Sequence, residues 1–90
     1  MRRVELIANR SVEEDLMDAF SSVGVFKQYT KFPVVHGIGG SGPRMGDGVW
    51  PEENFVLVCY CDEVESRRIA EIVAGVKKRF PDEGVKLFVM

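Results

Sequence analysis

Ninety residues, 46% of them hydrophobic, suffice for one small core, so a single domain over residues 1–90 is expected, near the size where association with further copies adds useful stability. The net charge is −2, and cationic residues concentrate only at Arg2-Arg3 and Lys77-Lys78-Arg79, which excludes the clustered basic surface that nucleic acid or anionic lipid requires. No stretch approaches the roughly 20 apolar residues of a membrane-spanning helix. Met1-Arg2-Arg3 leads directly into an alternating pattern and not into a secretory leader, so the expected setting is cytoplasmic, without membrane insertion.

Over 4–8, Val4, Leu6 and Ala8 alternate with Glu5 and Ile7, as a half-buried strand requires. Ser11-Val12-Glu13-Glu14 then reads as a capping box, with the Ser11 hydroxyl and Glu14 carboxylate satisfying free N–H groups at a helix start. Val12, Leu16, Ala19, Phe20 and Val23 recur at helical spacing, and Gly24 is a natural stop. Residues 27–35 hold Tyr29, Thr30, Phe32, Val34 and Val35, which favour a strand; Pro33 lacks an N–H and restricts that strand to a sheet edge or a bulge.

Residues 54–61 form the most strand-like run, Phe55-Val56-Leu57-Val58-Cys59-Tyr60-Cys61, apolar on both faces and therefore in need of cover on both. Asp62 and Glu65 repeat the capping arrangement before a helical stripe of Val64, Ile69, Ile72, Val73 and Val76 that ends near Phe80-Pro81. The cations Lys77-Lys78-Arg79 suit a helix C-terminus, and Gly84 leads into a last strand over 85–90.

The order β-α-β-β-α-β predicts an α+β, ferredoxin-like βαββαβ sandwich, a four-stranded antiparallel sheet with two helices on one face. Such a sheet leaves its second face uncovered. Either Phe55, Leu57, Cys59 and Cys61 or Val56, Val58 and Tyr60 occupy that face, joined by Ile7, Phe88 and Met90, and an apolar patch of this kind predicts a homo-oligomer.

Six of the nine glycines fall within 37–48, in Gly37-Ile38-Gly39-Gly40-Ser41-Gly42-Pro43-Arg44-Met45-Gly46-Asp47-Gly48. Glycine lets a backbone approach a ligand or partner closely, so function is expected on the loop 37–53. The element order, this long loop between strands two and three, and Val35-His36-Gly37-Ile38-Gly39 leading into it together resemble the PII-like superfamily, which includes the nitrogen-regulatory PII signalling proteins and related metal-tolerance proteins. The resemblance implies a trimer, adenine nucleotide between subunits and a loop that engages target proteins. The chain departs from true PII proteins after strand three, where Cys61 runs almost directly into the Asp62-capped helix without a second glycine-containing turn, so it reads as a divergent member.

Candidate ligand-binding residues are Gly37, Gly39, Gly40, Ser41, Gly42, Arg44 and Trp50, for a small anion, possible nucleotide or protein partner: converging backbone N–H groups can cradle phosphate, and Arg44 adds a bidentate cation. The pattern is neither a Walker A motif nor a Rossmann turn. Trp50, beside Pro51, serves either as an anchor for the loop or as a contact for a partner, and the spacing of Asp47, Glu52 and Glu53 matches no calcium loop. His36, Cys59 and Cys61 are the candidate metal ligands for a soft cation, against the alternative that the thiols are core residues. No nucleophile and orienting acid accompany His36, so no catalytic residue is assigned. The preferred reading is a non-enzymatic PII-like regulator; the alternatives are a soft-metal sensor and a structural interaction module.

Overall fold

A computed structural model describes residues 1–37 and 53–90. Its elements follow the expected order: β1 (Arg2–Asn9), a short 3-10 turn (Arg10–Val12), α1 (Glu13–Val23), β2 (Thr30–His36), β3 (Glu53–Cys61), α2 (Glu63–Arg79) and β4 (Val85–Val89). The strands form one sheet in the order β2-β3-β1-β4, antiparallel at every junction. Neither described helix is long and apolar enough to cross a membrane.

The register stacks the hydrophobic residues in rows. Val85, Ala8 and Phe55 lie side by side across three strands, as do Leu87, Leu6 and Leu57, then Val89, Val4 and Cys59. Directly opposed residues share a sheet face, and most of these side chains are buried beneath Leu16 and Phe20 of α1 and Ile69, Val73 and Val76 of α2. At ~25 cal/mol per Å² of apolar surface removed from water, this layer is the main source of stability.

The two helix starts differ. Asp62 caps α2 as expected, its Oδ1 accepting from the Glu65 N–H at 2.8 Å. The capping box at Ser11 does not form: Asn9 comes first, its Oδ1 accepting from the Ser11 N–H at 2.8 Å, and the 3-10 turn displaces the start of α1 to Glu13, behind Val12, which makes no side-chain cap. Glu65 also departs from the capping arrangement. Its Oε2 accepts from the Phe26 N–H at 3.1 Å and so ties α2 to the segment after α1.

Gly24 ends α1 as expected, at φ 81°, with its N–H on the Phe20 carbonyl at 2.9 Å. Phe26 then holds φ 58°, a costly conformation for a bulky residue, and buries its ring 5.0 Å from that of Phe20. Val25 and Phe26 thus fill the place assigned to Val23, which is exposed; Val64 is exposed as well. Helical spacing alone could not separate the last and first turns, where the apolar stripe passes beyond the edge of the sheet. On β2, the register shifts between Phe32 and Val35, so Pro33 sits in a bulge on an edge strand, where a missing N–H costs no ladder bond.

Candidate functional site at the root of the glycine-rich segment

β2 and β3 bring the two ends of the glycine-rich segment together. His36, the last residue of β2, pairs with Glu53, the first of β3, and the preceding pair is Val35 with Asn54. One strand inward, Asn54 pairs with Asn9 at the end of β1. The next residue, Arg10, reaches back across the sheet end, its Nη1 2.5 Å from Glu53 Oε2. Asn9, Arg10, His36, Glu53 and Asn54 therefore converge where 38–52 leaves and rejoins the sheet. Gly37 lies beside them: among the described residues a Cβ there would meet Asn54 Nδ2 alone, at 3.9 Å, an ordinary van der Waals distance.

Of the ligand residues expected from sequence, Gly37 is at this root, while Gly39, Gly40, Ser41, Gly42, Arg44 and Trp50 lie outside the described residues. Arg10 escaped the sequence reading, because its partner is 43 residues away and no local pattern links them. The signal available was its position just beyond β1, at the same end of the sheet as the start of β3.

The proposed metal set is not assembled. His36 is exposed and paired with Glu53, six residues along β3 from Cys59, which at ~3.4 Å per residue is about 20 Å. Cys59 and Cys61 lie on the helix-facing side, buried and free. Burial pushes the Cys59 thiol up to about 12, with its neighbour Cys61 and then Glu65 adding to the effect. Burial raises Cys61 too, partly offset by its hydrogen bond with Cys59. Both are protonated core thiols at neutral pH, a poor state for a soft-metal ligand. Among the described residues no group of three His, Cys, Asp or Glu side chains is placed to hold a metal ion.

The opposite face of the sheet is the second feature of note. Phe32, Val56 and Ile7 form one row and Val58 lies in the next, between Thr30 and Glu5, with Phe88 beyond Glu5. Phe32, Tyr60 and Phe88 are 51%, 61% and 47% exposed. Met90 exchanges backbone hydrogen bonds with Arg3 and shares this face, as expected. The face turns polar at one end, where Arg3 donates to Glu5 at 2.7 Å and to the Tyr60 hydroxyl.

No protein-family model matches the chain, and no curated protein matches it in sequence. Solved structures do match. A protein of Thermus thermophilus assigned to PII-like signalling superposes with a TM-score of 0.67 at 26% identity, over 99% of this chain and 83% of that one. CPII, a nitrogen regulatory PII-like protein from Thiomonas intermedia, bound to ADP, AMP and bicarbonate, gives a TM-score of 0.70 at 20% identity, over 99% of this chain and 82% of its own. Its apo form gives 0.69 at 17% identity, over 99% and 85%. The CPII likeness is one of fold; the Thermus protein is assigned to PII-like signalling and CPII to nitrogen regulation. With its ferredoxin-like sheet and two helices matched over nearly their whole extent, the chain has the fold of the PII-like proteins.

Proposed function

We propose that this chain is a non-enzymatic regulatory protein in which a homo-oligomer, a trimer, presents the segment 37–53 to a small anionic ligand and, through it, to a protein target. The observation that carries the reading is the polar root: His36 and Glu53 hold the two ends of the segment side by side, next to an arginine and two asparagines. The chemistry suits an oxyanion, because guanidinium and amide N–H groups donate to it. CPII, of the same fold, is bound to ADP, AMP and bicarbonate. The second face supports the oligomer, since neither described helix lies over Ile7, Phe32, Val56 and Phe88.

In this reading the ligand binds at the root of the glycine-rich segment, and the ligand-bound form is what the target recognises. Thermal unfolding with ADP, AMP and bicarbonate, each in turn, tests it. A ligand at 100 times its Kd stabilises by about 2.7 kcal/mol, enough to raise Tm by several degrees in a domain of this size. The absence of a shift with all three would remove the anion from the proposal, and a monomer by sedimentation at high micromolar concentration would remove the oligomer.

A further inference from the structure

Arg10 stands on the 3-10 turn after β1, its guanidinium on Glu53 at 2.5 Å, with both side chains 49% exposed. Among the described residues the contact engages one Nη of a group that carries five N–H donors. We infer that Arg10 is the principal cation for a small oxyanion at the root of the glycine-rich segment, and that Glu53 is a built-in competitor which the oxyanion displaces. The inference rests on the anion-binding reading above and adds the residue and the switch.

Three observations lead to it. First, the position is specific: the other arginines in ion pairs, Arg2 and Arg67 on Glu63 and Arg3 on Glu5, are not at this root, and Arg3 pairs with Tyr60 toward the opposite end of β3. Second, the exchange is cheap. A half-exposed ion pair is worth ~0–1 kcal/mol, whereas a phosphate or bicarbonate offers two oxygens to the guanidinium fork. Third, displacement has a structural consequence. Glu53 is the first residue of β3 and the partner of His36, so its carboxylate is released at the point where the segment rejoins the sheet.

Calorimetric titration of the full chain with ADP, adenosine and bicarbonate tests this. Arg10→Ala should weaken ADP or bicarbonate by roughly tenfold or more, the worth of a charge-assisted contact, and leave adenosine unchanged. Loss with ADP identifies the oxyanion as a nucleotide phosphate, and loss with bicarbonate alone identifies it as the free ion. Glu53→Gln should tighten the same ligand, and the gain should vanish in the Arg10→Ala background, because the competition needs both partners. Circular dichroism confirms the fold of each variant. Should Arg10→Ala unfold, Glu53→Gln carries the test alone, since loss of a purely structural pair cannot tighten a ligand. A wild-type chain that binds none of the three overturns the anion-binding reading and this inference together. Binding by wild type that Arg10→Ala leaves intact, or that Glu53→Gln weakens, overturns only the role given to Arg10 and Glu53.

Discussion

Val56 and Leu57 are adjacent on β3 and alike in hydrophobicity, yet Leu57 is fully buried while Val56 is only half-buried on the face without helices. The difference lies in what covers each face. Leu57 sits in a row with Leu6 and Leu87 beneath α1 and α2; Val56 sits in a row with Ile7 and Phe32, and the described chain provides nothing to lie over them. A strand that is apolar on both sides thus makes two separate demands, of which the described helices meet one.

Substitutions on the two faces should behave differently. Leu57→Ala removes side-chain volume from the closed core and should cost about 2–5 kcal/mol in urea unfolding; a loss below about 1 kcal/mol would mean that the helix-facing side is not the core. Val58→Lys should instead break the proposed association and yield a smaller particle by sedimentation with its circular dichroism unchanged, because the charge enters the face proposed as the contact and not the subunit core. An unchanged mass would show that this face is not the contact.

The thiols sharpen the comparison through pH. Cys59 holds its proton to about 12 in the folded chain against an ordinary 9.0, because burial opposes the thiolate. The unfolded chain therefore loses this proton first, and the contribution is intact below about pH 9 and falls as pH rises from 9.0 towards about 12. Wild type should lose stability over that range more steeply than Cys59→Ala, read as the difference between their urea midpoints at about pH 8 and about pH 10.5. Parallel profiles would place the thiol in water. The smallest effect is expected at Asp62→Ala, which removes the α2 cap and should cost about 1 kcal/mol; an unchanged midpoint would show that water replaces the carboxylate without loss.

Much of the fold was legible because it depends on local periods. Alternation over 4–8, the apolar run over 54–61, the two helices, Gly24 and Pro33 are read directly, and the structure agrees on each, except that Val23 and Val64 of the helical stripes are exposed. The errors fall where another group competes with the one the local pattern favours. Ser11 loses the cap to Asn9, Glu65 turns from its own helix to the Phe26 N–H 39 residues away, and Val23 yields its place to Phe26, whose left-handed backbone no propensity scale predicts. The candidate site was legible only in part: Gly37 and the segment that follows it stand out by composition, whereas Arg10 gains meaning only when β1 and β3 are paired.

By itself the amino-acid sequence determined the number, order and two-sidedness of the elements, since these follow from side-chain periods of about 2 and 3.6 along a short stretch of chain. Only the tertiary structure decided which side of β3 the helices cover, that His36 and the cysteines are far apart, and that Arg10 and Glu53 meet where the glycine-rich segment begins and ends. Those outcomes depend on strand register. Shifting one strand by a single residue exchanges its faces and its neighbours, and the choice is made by the joint burial of residues remote in sequence.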